Sequence, residues 1–338
     1  MMKNFKIALV SYDAPEIPSW VIEEIEKTGS EFVYQQCQSA DEVVGIARDA
    51  DFVWVFGCDA NTGKILHDTP IEKFERCAVI MRTGSGTDNI PVPRATELGI
   101  IVANTPQATC EAVSEHAIAL LLALCRKVVE QNENTKNKIW DHKAAGFPLK
   151  VQGRTLGLVG FGHIPRQIVQ KLQGFELNIL AHDPYLPEEA ISSLGARPAT
   201  LDEVLSESDF VSLHCPLTEG TRHIINEAAL KKMKPHAILI NTARGPIVDE
   251  KALYKALSEG WIGGAGLDVV ETIPGQGEQP LSELANVILT PHSAGYLENH
   301  LENFWKFSVM TVIDVANGKM PSSYVNRDVK PRFELTAV

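Results

Sequence analysis

Thirty consecutive residues, Arg154 to Asp183 (RTLGLVGFGHIPRQIVQKLQGFELNILAHD), constrain the fold more than any other part of the chain. Residues 155–159 are a short apolar run closed by glycine, which reads as a buried parallel strand. Gly160-Phe161-Gly162 makes a tight turn, and residues 164–172 carry Ile164, Ile168 and Leu172 at helical spacing. A second apolar run, 177–181, ends in His182-Asp183. Strand, glycine turn, helix and strand closing on an acid is the pattern of a dinucleotide site. Gly160 allows the turn, and Gly162 lets main chain approach a pyrophosphate with no Cβ in the way. The free N–H groups and dipole of the helix start then face that diphosphate. Asp183 is placed to accept from both adenosine ribose hydroxyls and to repel a 2′-phosphate, which favours NAD over NADP. The third glycine of G-x-G-x-x-G is replaced by Pro165, a residue the first helical turn tolerates because that N–H has no intrahelical partner. A phosphate-free crossover is the competing reading, and the terminal acid argues against it.

At 338 residues the chain exceeds what one core usually fills, so two domains are expected. A net charge of −12 with no Lys/Arg cluster argues against a nucleic-acid partner. Cys37, Cys58, Cys77, Cys110, Cys125 and Cys215 are scattered without a CxxC pair. That usage suggests reduced thiols in a cytoplasmic protein and no metal site. Residues 7–10 are too short for a signal-peptide core, and the longest apolar stretch, 117–125, is far short of the roughly 20 residues that span a bilayer.

Before the nucleotide motif, apolar runs at 5–10, 31–34, 52–56, 78–81 and 100–103 alternate with helical patterns at 18–27, 40–47 and 70–74, the second capped at Ser39-Ala40-Asp41. Such alternation means a parallel sheet covered by helices. Arg82-Thr83-Gly84-Ser85-Gly86 follows its strand directly, a loop whose N–H groups suit an anion. Thr109 or Ser114 is a candidate cap for a long helix reaching about Val129, and the polar stretch 130–143 reads as an exposed arm. Further on, strands at 210–213, 237–240, 263–267 and 287–289 end at His214-Cys215, at Asn241-Thr242-Ala243-Arg244-Gly245, at Asp268, and at Thr290-Pro291-His292. Four polar clusters thus sit at the carboxyl ends of strands, where open α/β sheets bind ligands.

Taken together, RTGSGTDNI, NTPQATCEAVSEH, LVGFGHIPR with Asp183, LHCPLTEGTRHIIN, INTARGPIVDE, AGLDVVE and LTPHSAG resemble the NAD-dependent D-2-hydroxyacid dehydrogenases over nearly the whole chain. That family includes phosphoglycerate, D-lactate and formate dehydrogenases and glyoxylate/hydroxypyruvate reductases. The resemblance implies a discontinuous flavodoxin-like substrate domain, residues 1–104 and 297–338, and a Rossmann NAD-binding domain, residues 105–296. It implies a homodimer, with the arm after the long helix reaching across, and a small 2-oxoacid or 2-hydroxyacid as substrate. Arg244 would hold the substrate's carboxylate and carbonyl oxygen, a job suited to a guanidinium fork. His292 would be the general acid of reduction and the base in reverse. Ser85 and Gly86 would offer N–H groups to the carboxylate. His163 and Ile164 would meet the pyrophosphate, Cys215, Thr242 and Ala243 would line the dinucleotide groove, and Asp268 would meet the nicotinamide carboxamide. The substrate's side-chain pocket would draw on residues 12–15 and 57–61 and on the loop at Arg82.

The pattern breaks at one position. Family members carry a glutamate five residues after the equivalent of Asp268, and here that residue is Ile273, followed by Pro274. The glutamate would hydrogen-bond the catalytic imidazole and raise its pKa. Glu271 and Glu278 stand nearby in sequence as possible replacements. The resemblance therefore leaves two functions open: an active reductase, or an NAD(H)-binding sensor or scaffold with weak turnover, for which the C-terminal-binding corepressors are a precedent.

Overall fold

The computed structural model describes residues 5–13, 15–57, 66 and 68–336. Cys58 and residues 58–61 of the expected side-chain pocket lie outside the described residues. The chain forms two compact units, Met1–Thr109 with Leu297–Val338, and Cys110–Tyr296. The first crossing falls five residues beyond Asn104 because the Thr105 hydroxyl accepts from Gly84 N and the Thr109 hydroxyl meets Ser85 Oγ.

The first unit is built on β1 (Lys6–Ser11), α1 (Ser19–Glu26), β2 (Glu31–Gln36), α2 (Ala40–Ala47), β3 (Phe52–Phe56), β4 (Val79–Arg82), α3 (Val92–Glu97) and β5 (Ile101–Asn104). Its parallel sheet has the order β2-β1-β3-β4-β5, the flavodoxin-like arrangement. Ser39 caps α2 by accepting from Glu42 N. The expected helix at 70–74 is only a short 3₁₀ turn, Ile71–Lys73. The C-terminal helix His300–Ala316 buries Phe304, Trp305, Val309, Val312 and Val315 against one face of the sheet, with Trp305 stacked on Phe56 at 4.0 Å. Fully burying each such side chain is worth roughly 1.5–3 kcal/mol, which makes this unit depend on the distant end of the chain.

The second unit begins with α4 (Cys110–Arg126) and α5 (Val128–Lys136), separated at Lys127, whose φ of 54° breaks the single helix expected there. Ser114 does not cap α4: it lies inside the helix, its hydroxyl turned back to Glu111 O. Part of the expected polar arm is helical, and α5 buries no residue. Then come β6 (Thr155–Val159), α6 (His163–Lys171), β7 (Asn178–His182), α7 (Glu188–Ser193), β8 (Arg197–Pro198), α8 (Leu201–Glu207), β9 (Phe210–Leu213), α9 (Glu227–Lys232), β10 (Ile238–Asn241), α10 (Glu250–Ser258), β11 (Gly264–Leu267) and β12 (Val287–Leu289). The parallel order β12-β11-β10-β9-β6-β7-β8 is that of a Rossmann sheet extended by one strand. Glycine in β11 has a packing reason, since a Cβ on Gly266 would press on Leu120 of α4 and Ile240 of β10, each at 3.0 Å.

Both sheets are anchored at their amino-terminal edge by the same device. Asp51, just before β3, accepts from Lys6 N and from the Arg76 guanidinium. Asp209, just before β9, accepts from Thr155 N, Arg154 Nη1 and His236 Nε2. In each case a carboxylate ties the start of the first strand to its neighbour.

Candidate active site

Gly160 lies at φ 89°, and a Cβ there would come within 2.8 Å of Cys215 N and the His214 carbonyl carbon. The turn is therefore open only to glycine, and it sits directly on the end of β9. Gly162 begins α6 without any side-chain cap, and a Cβ on it would meet nothing within 4 Å. His163 and Ile164 supply the first turn of that helix, with Pro165 buried at its third position, where no N–H is required. Asp183 follows β7 immediately and does more than wait for a ribose: its Oδ2 accepts from Phe161 N at 2.9 Å and its Oδ1 from Tyr185 N at 3.0 Å. The acid thus braces the glycine turn, and each oxygen keeps a second lone pair for a ligand.

At the end of β9, His214 is half-buried and shares a hydrogen bond with Ser212 Oγ; burial pushes its pKa down to about 3. Burial thus favours the neutral form of this ring. Cys215 is half-buried beside it, and burial, helped by the Asp183 charge, pushes its thiol up to about 11.

The loop after β10 is knitted by Asn241, whose Oδ1 accepts from Ala243 N and whose Nδ2 donates to Arg244 O. Arg244 itself donates from Nη1 to Ala243 O. Gly245 admits no side chain, because a Cβ would lie 2.1 Å from the carbonyl carbon of Val270. Within this loop the Thr242 hydroxyl is buried with no hydrogen-bond partner, which leaves a polar atom for a ligand to satisfy.

Asp268, at the end of β11, is 2% exposed. Its Oδ1 accepts from Thr290 Oγ1 at 2.6 Å and Ser293 N at 2.9 Å, and its Oδ2 from Ala294 N at 3.0 Å. The carboxylate is thereby committed to the loop after β12, the loop that carries His292. The main chain adds a link, His292 N donating to Asp268 O, while His292 is held at φ 53°. Thr290 uses its proton on Asp268, so its lone pair receives His116 Nε2–H at 2.9 Å, which fixes the tautomer of that imidazole. Sequence reasoning missed the pairing of His116 and the bracing roles of Asp183 and Asp268, because each is a long-range contact that leaves no local pattern; the role of Asn241 in knitting its own loop is local and was also missed.

Ile273, at the position of the family glutamate, is 39% exposed on a loop pinned by Glu250, whose carboxylate accepts from Glu271 N, Thr272 N and Gln279 Nε2. Of the two nearby acids, Glu278 is exposed and Glu271 is paired with His223 Nε2 at 2.9 Å and Arg222 Nη2 at 3.3 Å. In the first unit, the Gly84-Ser85-Gly86 loop is held by Thr105, Thr109 and Asn104, and Arg82 Nη1 donates to Gly86 O. Among the described residues no group of three acids, histidines or cysteines is arranged to hold a metal, and no helix is long and apolar enough to cross a membrane.

An uncapped helix start behind an open glycine, an acid at the end of the following strand and an orphaned buried hydroxyl in the loop after β10 together fit a dinucleotide. Residues 118–294 match the NAD binding domain of the D-isomer specific 2-hydroxyacid dehydrogenases. A glyoxylate reductase of Korarchaeum cryptofilum is 41% identical over 280 residues, covering 80% of this chain and 84% of that protein. The solved glyoxylate reductase of Paecilomyes thermophila superposes with a TM-score of 0.84 at 27% identity, over 96% of this chain and 99% of that one. The D-lactate dehydrogenase of Aquifex aeolicus, solved with NAD and lactic acid, gives 0.77 at 27% identity, over 94% and 99%. This chain belongs to the D-isomer specific 2-hydroxyacid dehydrogenase family and is an NAD-dependent oxidoreductase.

Proposed function

We propose that the protein reduces a small 2-oxoacid to the D-2-hydroxyacid with NADH, and runs the reverse reaction with NAD. One observation supports this reading above the rest: Arg244 and His292 are joined by an unbroken hydrogen-bond path. Arg244 O accepts from Asn241 Nδ2, Asn241 O accepts from Asp268 N, and Asp268 O accepts from His292 N. The strands behind them are neighbours, so these loops emerge side by side at roughly 4.8 Å per strand.

Bound NADH supplies the hydride. Arg244 grips the carboxylate and carbonyl oxygen of the acid and stabilises the charge that grows on that oxygen. His292 delivers the proton to the same oxygen, and withdraws it in the reverse direction. Gly160, Gly162, His163 and Ile164 take the pyrophosphate and Asp183 the adenosine ribose. Cys215, Thr242 and Ala243 line the groove, and Asp268, besides anchoring the His292 loop, is the residue assigned to the carboxamide. In the first unit, Ser85 and Gly86 offer N–H groups to a carboxylate. The test is NADH consumption against glyoxylate, hydroxypyruvate, pyruvate and longer 2-oxoacids, with chirality of the product determined; no turnover of any of them would reject the reading.

The sensor reading is favoured by a specific pair of facts, Ile273 in place of the glutamate and Glu271 already engaged by His223. It requires that NADH bind tightly while every 2-oxoacid goes unreduced. A homodimer is also proposed: after α4 the chain exposes Trp140 (90%), Phe147 (78%) and Ile139 (46%), a run of apolar surface that a second copy would cover. Light scattering on the purified protein tests it, and a monomer mass would reject it.

A further inference from the structure

Glu271 stands two residues from the missing carboxylate, yet its side chain turns to another purpose. Oε1 accepts from His223 Nε2 at 2.9 Å and lies 3.3 Å from Arg222 Nη2, and the Glu271 carboxylate is about a quarter exposed. His223 is one of only five non-glycine residues among those described at positive φ, at 51°, and its N–H donates to Pro246 O at 2.8 Å. A bulky residue in the left-handed region costs on the order of 1–3 kcal/mol and persists where its surroundings hold it there.

Between these two residues runs the turn that carries Arg244. On one side Gly245 is pressed against the main chain of Val270 and Glu271 so closely that a Cβ would lie 2.6 Å from Glu271 N. On the other side Pro246 O takes the His223 N–H, and Ile225 N donates to Ile247 O. The loop after β9 and the loop after β11 therefore flank the Arg244 turn, and the Glu271–His223–Arg222 contact is the side-chain bridge that closes them over it. Glu250 fixes the far side of the bridge by accepting from Glu271 N at 2.7 Å.

We propose that Glu271 and His223 are positioning residues: they form a clasp that holds the Arg244 turn in the geometry needed to bind an acid's carboxylate and carbonyl oxygen. The proposal rests on the assignment of Arg244 as the substrate-binding cation. A guanidinium displaced by a fraction of an ångström loses its two-point fit to a carboxylate while the dinucleotide groove is untouched, so the clasp acts on the acid and not on NADH.

The experiment measures binding of oxalate, a non-reducible 2-oxoacid mimic, to the NADH-bound protein, together with KM for the best-turned-over 2-oxoacid, the NADH Kd and Tm. Five proteins are compared: wild type, His223→Asn, Glu271→Ala, the double variant and Arg244→Ala. Asparagine tolerates the left-handed conformation but is too short to reach Glu271, so it removes the clasp without the backbone strain. The clasp predicts that His223→Asn and Glu271→Ala each weaken oxalate about tenfold and leave the NADH Kd within about twofold. The double variant should be no weaker than either single one, as for two halves of one interaction. Wild-type oxalate affinity in His223→Asn and Glu271→Ala, with Arg244→Ala losing it, overturns the clasp alone. Parallel loss of NADH and oxalate affinity with a fall in Tm also overturns it, in favour of a purely structural bridge. Oxalate binding unchanged in Arg244→Ala would overturn the Arg244 assignment and the clasp with it.

Discussion

His292 N donates to Asp268 O at 2.9 Å, and the Asp268 carboxylate accepts from Ser293 N and Ala294 N on the residues that follow, so one acid holds the His292 loop through both its main chain and its side chain. The imidazole proposed to move the proton thus stands, at φ 53°, on a loop tied to one buried acid. Asp268→Asn replaces an acceptor with an amide that presents an N–H₂ to one of these N–H donors. The expected result is a kcat about 100-fold lower, since a small misplacement of a catalytic group costs that much, with a smaller, few-fold weakening of NADH because the same acid is assigned to the carboxamide. Steady-state kinetics beside a fluorescence titration of NADH checks it.

Gly160 and Gly162 make a contrasting pair. Alanine at Gly160 has to occupy φ 89° and meets main-chain atoms at 2.8 Å, whereas alanine at Gly162 points into open space. Gly160→Ala should lower stability by about 2 kcal/mol or more. Gly162→Ala should leave Tm within about a degree and weaken NADH about tenfold, because its methyl stands where a pyrophosphate approaches. Calorimetry and NADH titration of the two variants separate the effects.

Asp209 makes a pH prediction. Burial raises its carboxyl, but hydrogen bonds from His236 and Thr155 N, the Lys234 charge and Arg154 outweigh that and hold its pKa well below the usual carboxylate range. A depressed native pKa contributes stability that is present above the unfolded value, about 3.9, and is lost as pH falls through the native one. Asp209→Ala should therefore lose about 2 kcal/mol at pH 7, a figure kept modest because Arg154 and Lys234 are partly exposed. The gap to wild type should close progressively below about pH 4, as read by urea denaturation at several pH values.

Ile273→Glu restores the carboxylate that the family places beside the imidazole. An added negative charge favours the protonated ring, so reduction should persist to higher pH than in wild type, by up to about one pH unit. The pH profile of kcat/KM for the 2-oxoacid measures this, and an unshifted alkaline limb would mean that residue 273 does not face His292.

The parts of the fold that could be read from sequence were those encoded locally. Gly160, Gly162 and Asp183 sit on one strand–helix–strand unit, and Arg244, Asp268 and His292 each stand one to four residues beyond an apolar run that reads as a buried strand. Long-range pairings stayed hidden: nothing near His116 announces Thr290, and nothing near Glu271 announces His223. The helix α5 was obscured because it is polar beyond Val128 and Val129 and buries nothing, so it has no stripe to detect. By contrast α8 carried a readable signal, the Thr200-x-x-Glu203 capping box, that a search for apolar periodicity passes over. The shared edge anchor was also present in sequence, as Asp51-Phe52-Val53 and Asp209-Phe210-Val211, but three letters are too few to register as a repeat.

The most direct test of the account is NADH oxidation by wild type, Arg244→Ala and His292→Ala with the same 2-oxoacid, run beside NADH titrations of all three. Wild type should turn over, each variant should lose about 10²–10⁴ in kcat/KM, and NADH affinity should stay within a few-fold throughout. Wild-type kcat/KM in both variants would contradict it.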